Sequence, residues 1–302
     1  MAIATRTARE VTSAIATGRN KDRNPASLIF LAALWFSLFF GVMVLLVLIV
    51  NTAIGGAPRF DSNLITAYDS IIHPEETGFR AGILGSLWLM VGTALLAIPL
   101  GVGAAVYLEE FADSETWYNR FIEVNIQNLA AVPSIVYGLL AVAALALIGF
   151  TETGVVLGGA VALALLILPV IIITTREAVR AVPRDIRQGS LALGATVWQT
   201  TWRQTLPSAV PGIATGTILG LSRAIGEAAP LLIIGVAGSL GFDPDGPLSA
   251  VTALPNQIYS LASRSQEDLK QAASAAIILL LAMILLLNGL AIFIRNKFQR
   301  SW

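Results

Sequence analysis

Hydrophobic residues fall into six long blocks along the chain, and polar segments separate these blocks. Five blocks contain no charged residue, and each has the roughly 20 positions that a helix needs to cross a bilayer core. These five are Leu28–Val50, Gly82–Leu108, Asn128–Gly149, Thr153–Thr175 and Gln271–Ile294. The sixth block, Ile213–Leu240, is interrupted by Arg223 and Glu227. Because lipid offers no partner to bare backbone amides, the pattern predicts an all-α membrane protein with six transmembrane helices.

The basic residues between the blocks indicate an orientation, since Lys and Arg collect in short cytoplasmic loops. With both termini inside, 14 of the 19 Lys and Arg residues are cytoplasmic and four are external, with Arg223 uncounted. The inner set is Arg6, Arg9, Arg19, Lys21, Arg23, Arg120, Arg176, Arg180, Arg184, Arg187, Arg203, Arg295, Lys297 and Arg300; the outer set is Arg59, Arg80, Arg264 and Lys270. This asymmetry predicts cytoplasmic N- and C-termini, with external loops at Asn51–Ala81 and Gly241–Lys270.

The first block follows a basic stretch, as the core of a signal peptide would. It is longer than such a core and lacks a small-x-small exit, so we interpret it as a retained helix. No linker indicates a second domain. We expect a cytoplasmic N-terminal segment, 1–27, a single transmembrane domain, 28–295, and a cytoplasmic tail, 296–302.

Composition supports a chain that faces lipid and excludes several kinds of site. Hydrophobic residues make up 56% and charged residues 13%, about half the charged share of a soluble domain, and the mean hydropathy is +0.76. The absence of cysteine excludes disulfides and thiolate metal sites, and the single histidine, His73, cannot form a zinc site alone, so we expect no metal. The net charge of zero gives no reason to expect a nucleic-acid partner. No GxxxxGK[ST] phosphate loop occurs, so the chain is not expected to hydrolyse ATP.

The polar segment 176–211 carries signals for ordered structure. Pro183–Leu193 has the pattern of a short helix opened by proline, and Gly194 permits a turn after it. A second helix follows, and Pro207 and Pro211 are expected to end it before the block Ile213–Leu240 begins.

Thr196 and Gln199 have the spacing of a capping box at the start of that second helix. Trp198 and Trp202 then share one helix face. Two interpretations remain open. The tryptophans lie at the membrane interface, or the segment is a docking element for a cytoplasmic partner.

Arg223 and Glu227 are the two charged residues of the sixth block. A charged side chain at the centre of a membrane helix costs about 2.5–3.5 kcal/mol on insertion scales. Spaced four apart, they can pair along one helix face. One interpretation is a neutralised pair that only fixes helix packing. The other is that Arg223 meets an anion, because a guanidinium presents a planar fork of donors that matches phosphate oxygens, while Glu227 orients it.

Gly212, Gly216 and Gly220 form a ladder just before Arg223. Small residues at this spacing let another helix approach closely, and helix packing is the interpretation we prefer. Pro230 is expected to loosen the helix after the charges.

Two runs of residues resemble sequence motifs of a known family. Arg223–Leu231 reads RAIGEAAPL and resembles the RA-x-GE-TAPL motif of phosphate permeases of the PstA/PstC type, with Ala228 in place of Thr. Ala131–Gly138 resembles the VPS-x-VYG stretch of the same family, and Ala192–Thr200 also fits. The resemblance covers nearly the whole chain. The length of the chain and the form of its motifs favour the PstA member of the family. It implies a type I ABC importer (MetI-like) permease fold.

The run 188–207 is also similar to the EAA motif of ABC importer permeases, written E-A-A-x3-G-x9-I-x-L-P. Its spacing fits in full; Gly194, Leu206 and Pro207 are kept, whereas Gln188 replaces Glu and three further positions differ. In that family this loop forms coupling helices that sit in a groove of the ATPase subunit. The resemblance thus implies that coupling involves Gln188, Gly194, Thr196, Trp198, Leu206 and Pro207.

The resemblance also implies the substrate and the pathway. It indicates a permease for inorganic phosphate in the bacterial plasma (inner) membrane, with Arg223, Glu227, Ser134 and Tyr137 near the translocation pathway. For Ser134 and Tyr137, hydrogen bonds that only pack helices are an equal alternative.

The implied partners are a second homologous permease (PstC-like), a cytoplasmic ATPase dimer (PstB-like), an external phosphate-binding protein (PstS-like) and membrane lipid. No cofactor is expected on this chain, since ATP and magnesium would be bound by the ATPase. Two alternatives stay open: an ABC permease for another oxyanion or solute, and a stand-alone secondary carrier or channel that works without an ATPase.

Overall fold

The computed structural model describes residues 25–113 and 116–298, and in these residues the backbone is helical apart from turns and two isolated β-bridges. The all-α prediction is confirmed. The predicted segment 1–27 lies almost wholly outside the described residues, as does most of the tail 296–302.

Twelve α-helices occur in the described part of the chain, and shorter 3-10 and π turns extend or connect them. The α-helices are α1 Pro25–Gly56, α2 Asn63–Thr66, α3 Arg80–Val106, α4 Trp117–Ala130, α5 Ser134–Leu147, α6 Val156–Arg180, α7 Arg184–Ala192, α8 Val197–Thr200, α9 Leu206–Ile225, α10 Ala229–Ile233, α11 Leu254–Ala262 and α12 Glu267–Phe298. The 3-10 turns are Ala57–Arg59 and Pro74–Glu76, and the π turns are Tyr107–Phe111 and Thr201–Thr205.

The chain divides into two units, residues 1–51 and 52–302. The described part of the first unit is most of α1. Its side chains from Leu28 to Val50 are nearly all exposed and apolar, with no charge among them. Such a surface is unfavourable in water and suits contact with lipid.

The second unit is built around α6, which packs against α3, α5, α9 and α10. Most of α6 is buried, including Leu163, Ile167 and Ile171. Small residues along it, such as Gly159 and Ala160, let neighbouring backbones approach. A helix that is apolar on every side is expected at the centre of a bundle, and α6 has this place.

Four helical segments of the described chain are long and apolar enough to cross a membrane: α1, α3, α6 and α12. The pair α4 and α5 raises this to five if the pair is one span, although its two helices are bent by 119°. The count of six spans and the side of the termini therefore stay predictions.

The predicted third span, Asn128–Gly149, is wrong as a continuous helix. Its first residues belong to α4, and α5 begins only at Ser134. Pro133 causes the break, because its backbone is extended (ψ 138°) and a proline disfavours helical geometry at the residue before it.

The predicted sixth block, Ile213–Leu240, is likewise divided, since α9 ends at Ile225 and α10 covers only Ala229–Ile233. Pro230 does more than loosen the helix. It has no N–H to donate and its ring would meet the carbonyl of Gly226, so the helix stops and restarts with Pro230 in its first turn.

The expectation that Pro207 and Pro211 end the preceding helix is also wrong. The helical path runs from α8 through the π turn Thr201–Thr205 directly into α9, with Pro207 in the first turn of α9 and Pro211 inside it. The wider π turn leaves room for the Pro207 ring. Pro211 removes one backbone donor without stopping the helix, since its neighbours continue the hydrogen-bond ladder.

Candidate functional site

Arg223 and Glu227 meet at the end of α9. Arg223 lies in the last turn, and Glu227 follows the helix end in the break before α10. The Arg223 Nε to Glu227 Oε1 distance is 3.4 Å, which is long for a charged hydrogen bond. The two side chains are 43% and 24% exposed. Among the described residues, the two Nη groups of Arg223 have no hydrogen-bond partner, so their four N–H donors remain available.

Tyr137 is buried in α5, next to Gly138, whose backbone packs against Pro230 at the start of α10. Its hydroxyl donates to the carbonyl oxygen of Leu129 at 2.6 Å, which ties α5 to the end of α4. This contact is the packing hydrogen bond foreseen as an alternative role. Ser134, the first residue of α5, is half-buried.

The two runs that resemble family motifs, Ala131–Gly138 and Arg223–Leu231, contact each other. A Cβ atom on Gly138 would lie 2.7 Å from the carbonyl oxygen of Pro230 and 2.9 Å from its Cα, so only glycine lets α5 approach α10 this closely. The break after Arg223 is therefore held against α5, beside Tyr137.

The glycine ladder of α9 faces α6. A Cβ on Gly212 would lie 2.6 Å from Ala178 Cβ, and one on Gly216 would lie 2.1 Å from Thr174 Oγ1. Gly220 has ordinary contact distances to α6. Close approach of α9 and α6 depends on the first two positions.

Asn288 is a polar neighbour that the sequence patterns did not single out. It lies in the apolar block of α12, and its Oδ1 makes a short hydrogen bond with Ser222, the residue before Arg223. Ser222 Oγ also lies 2.6 Å from the carbonyl oxygen of Ile218. A lone Asn in a membrane helix usually bonds across to another helix, and that rule is the signal that could have identified it.

A large groove of about 720 Å³ lies between α9 and α12, and neither Arg223 nor Glu227 lines it. Its lining is mostly apolar, and its one charged residue, Arg295, donates from Nη1 to Thr215 Oγ1 at 2.8 Å. A phosphate ion needs several converging donors, so this groove does not have the chemistry of a resting site for phosphate.

The segment that joins α6 to α9 has the predicted local structure. α7 covers Arg184–Ala192, within one residue of the expected helix, and Gly194 has φ +86°. The capping box is confirmed: Thr196 N donates to Gln199 Oε1 at 3.0 Å, and Gln199 N donates to Thr196 Oγ1 at 3.2 Å.

The surface of this segment is apolar at its tip. Leu193 is 91% exposed, and Trp198 and Trp202 are exposed with ring centroids 5.4 Å apart. Trp198 also contacts Phe111, at the end of the π turn after α3, with centroids 5.9 Å apart. Gln188, Gly194, Thr196 and Pro207 are exposed as well, and Leu206 is half-buried.

A smaller pocket of about 460 Å³ lies between α7 and α8. Its lining includes Ile186, Gly189, Leu193, Gln199 and Arg203. Ser190 Oγ and Thr200 Oγ1 are 2.9 Å apart beside it, a contact between α7 and α8 that the sequence patterns did not indicate.

Residues 97–300 match the family model described as the inner membrane component of binding-protein-dependent transport systems. The phosphate transport system permease protein PstA of Pasteurella multocida is 32% identical over 287 residues, covering 93% of this chain and 95% of that protein. A probable ABC transporter permease, YqgI of Bacillus subtilis, is 38% identical over 180 residues, and PstA of Mycobacterium leprae is 38% identical over 199. These two alignments span 59% and 63% of this chain, and 60% and 64% of the relatives' own length.

Among solved structures, a chain of a bacterial alginate ABC transporter has a similar fold. Its TM-score is 0.66 at 15% identity, over 92% of this chain and 97% of that chain. A chain of the MetNI methionine ABC transporter has a TM-score of 0.57 at 18% identity, over 73% and 95%. At these identities the likeness shows the fold alone.

Proposed function

Because the chain belongs to the family of binding-protein-dependent transport system inner membrane components, we propose that it is one permease subunit of an ATP-driven importer of inorganic phosphate. Members of this family are non-catalytic membrane subunits, and several relatives are named as phosphate permeases. The observation that carries the choice of substrate is Arg223, whose two Nη groups are free to donate at the end of α9.

Arg223 suits a transient contact with an oxyanion. A phosphate oxygen pair can accept from the two Nη groups while Nε keeps its long contact with Glu227. Glu227 holds the fork in place and also repels the anion, because two negative groups then share one cation. This balance favours passage over tight retention, as transport requires.

The break between α9 and α10 supplies a place for movement. Residues 226–228 join two helices there, and the packing of Gly138 on Pro230 places α5 against the joint. In the proposed cycle, this joint and the neighbouring Tyr137 change their exposure from the outer to the inner side. Ser134 lies three residues before Tyr137, in the first turn of α5.

The proposed coupling element is the 176–211 segment. A cytoplasmic ATPase dimer would bind its exposed tip, where Leu193, Trp198 and Trp202 offer apolar surface beside the turn at Gly194. ATP and magnesium would be bound by that dimer. A second, homologous permease would complete the pathway, and an external binding protein would deliver phosphate to the outer mouth. The setting of this assembly is the bacterial plasma membrane.

The substrate assignment is tested with Arg223→Ala in the assembled transporter. We expect phosphate uptake to fall by at least about a hundredfold, since a charge-assisted contact to a poorly solvated anion contributes about 3 kcal/mol. Arg264→Ala, in the loop between α11 and α12, is the matched control and should transport normally.

Uptake of labelled phosphate is measured in proteoliposomes that contain the purified complex, with the binding protein outside, with ATP inside or withheld, and with unlabelled phosphate, sulfate or molybdate as competitors. Normal uptake by Arg223→Ala would remove this residue from the pathway. Stronger competition by sulfate or molybdate than by phosphate would assign a different oxyanion, and transport without ATP would indicate a secondary carrier.

A further inference from the structure

The consecutive carboxylates of Glu109 and Glu110 lie on the π turn Tyr107–Phe111. This turn extends α3 at the end of the second unit where α7 and α8 also lie. A π turn contains more residues per turn than an α-helix, which changes the direction of its side chains. Here Glu109 and Glu110 are both withdrawn from solvent, with side chains that are 13% and 8% exposed. Two buried carboxylates so close together require cationic partners.

Glu109 binds the end of α6. Arg180 donates to it through both Nε and Nη2, each at 2.9 Å, in a bidentate pair. Arg176, one helical turn earlier, donates from Nε to Glu109 Oε2 at 3.3 Å. The Nη1 atom of Arg176 then lies 3.0 Å from Glu123 of α4. Glu109 is therefore at the centre of a network that joins α3, α6 and α4.

Glu110 binds the segment beyond α6. Its Oε1 lies 2.8 Å from Arg187 Nη2 of α7, an ion pair whose direction is not that of a good hydrogen bond. Thr201 Oγ1, at the start of the second π turn, lies 3.4 Å from Glu110 Oε2. The same Arg187 Nη2 donates to the carbonyl oxygen of Val179 at 2.6 Å, which links α7 back to α6.

These ion pairs matter because α7 has little else to hold it. No residue of α7 is buried, so the helix gains no hydrophobic anchoring from a core of its own. α7 also packs against α8 and the second π turn, where the hydroxyl groups of Ser190 and Thr200 form a hydrogen bond. Arg187, on the face toward the bundle, is the charged residue of α7 that reaches α3.

We propose that Glu109 and Glu110 are positioning residues for energy coupling: together they clamp the α7–α8 segment to α3 and α6, so that a displacement of α7 moves both helices. The proposal rests on the function proposed above. Separating Glu109 from Arg176 and Arg180, or Glu110 from Arg187, would leave a poorly solvated charge, which is strongly unfavourable. The clamp therefore moves as one body, and force applied at the exposed tip is passed to α3 and α6.

The first test removes the ion pair from either side. Arg187→Gln and Glu110→Gln should each assemble with the ATPase and hydrolyse ATP, but transport about tenfold less phosphate per ATP hydrolysed. Arg187→Lys keeps the charge that faces Glu110 and should transport within about twofold of the unmodified protein. Glu177→Gln, an exposed carboxylate at the end of α6, is the matched control and should have no effect.

A normal ratio of phosphate to ATP in both Gln variants would overturn the clamp. An equal loss of phosphate transport per ATP in Arg187→Lys and Arg187→Gln would also overturn it, because the positive charge of Arg187 would then not explain the coupling. If Glu110→Gln fails to assemble, Arg187→Gln decides, since α7 has no buried residue whose packing the change could disturb.

A second test does not depend on the transported solute. The chain has no cysteine, so spin labels can be attached at Leu191→Cys and Leu100→Cys, two exposed positions on α7 and on α3. In the assembled complex we expect one narrow label-to-label distance that broadens with Arg187→Gln and stays narrow with Arg187→Lys. Unchanged width in Arg187→Gln would refute the clamp, whereas absent phosphate uptake by the unmodified complex would refute the proposed function alone.

Discussion

Asp69 illustrates how a single residue can make a loop sensitive to pH. It lies between α2 and α3, outside the membrane-spanning helices, and burial raises the pKa of its carboxyl group. Polar interactions with Ser239, with the backbone of residues 69 and 240, and with Gln257, whose Nε2 lies 3.5 Å from Oδ1, lower this pKa only in part. Its Oδ2 atom is buried without a hydrogen-bond partner, so the ionised form is poorly solvated.

The sign of the resulting pH dependence follows from linkage. A carboxyl whose pKa is higher in the folded state binds protons more tightly there, so the free energy of unfolding falls as pH rises from about 4 through the folded pKa. Asp69→Asn should remove this slope and raise the unfolding temperature at neutral pH. Thermal unfolding across pH checks this, with Asp61→Asn, near the start of α2, as control. Parallel curves for Asp69→Asn and the unmodified protein would contradict the prediction.

Single residues were foreseen where their partners are near in sequence. The capping box of Thr196 and Gln199 could be predicted because both residues belong to one helical turn. Glu109 and Glu110 could not, because their arginines lie 67 or more positions away and only the packing of α3 against α6 and α7 brings them together. The pairing of Arg223 with Glu227 was foreseen, but the helix end between them was not.

At the level of helices, hydrophobic blocks identified where the chain is apolar but not where it bends. A run of apolar residues looks the same whether one helix or two helices pass through it. Pro133 and Pro230 each divide a block, whereas Pro207 and Pro211 do not, because the neighbouring turn geometry decides what a proline does. Local sequence alone does not record that geometry.

The contact between α9 and α6 gives a prediction for a helix pair. Gly216→Ala would place a Cβ 2.1 Å from Thr174 Oγ1 and 2.5 Å from Thr174 Cβ, so the two helices must separate. We expect a loss of about 1–3 kcal/mol in the free energy of unfolding. Denaturation of the purified complex measures this, and a stability equal to that of the unmodified protein would show that the ladder does not set the helix distance.

Gly289→Ala is the matched control for this change. It lies in α12, where a Cβ would meet nothing within 4 Å, so the substitution adds a methyl group to a helix without a clash. Its stability should be unchanged or slightly raised. A similar loss in both variants would mean that glycine itself, rather than close packing, is needed.

For the whole molecule, the unequal distribution of basic residues predicts which end of the second unit faces the cytoplasm. The π turn with Glu109 and the tip at Leu193 belong to one end, and the loop that contains Phe242 belongs to the other. The two cysteine-scanning sites Leu193→Cys and Phe242→Cys are both exposed and replace apolar residues.

Labelling intact cells with a membrane-impermeant maleimide tests the orientation. In cells that lack the ATPase subunit, which would otherwise cover the tip, Phe242→Cys should react at once and Leu193→Cys only after the membrane is made permeable. Because the natural sequence has no cysteine, the unmodified chain supplies a blank. The reverse pattern would place the termini outside and would also remove the 176–211 segment from reach of a cytoplasmic ATPase.

The bend at Pro133 has a consequence for the bilayer itself. α5 has 14 residues, which at about 1.5 Å per residue span about 21 Å, less than the hydrocarbon thickness of about 30 Å. A helix this short creates a hydrophobic mismatch, which lipid relieves by thinning locally. If α5 alone crosses the bilayer at this place, the hydrocarbon layer beside it is thinner than elsewhere, and the partly exposed charge of Arg223 costs less to hold there.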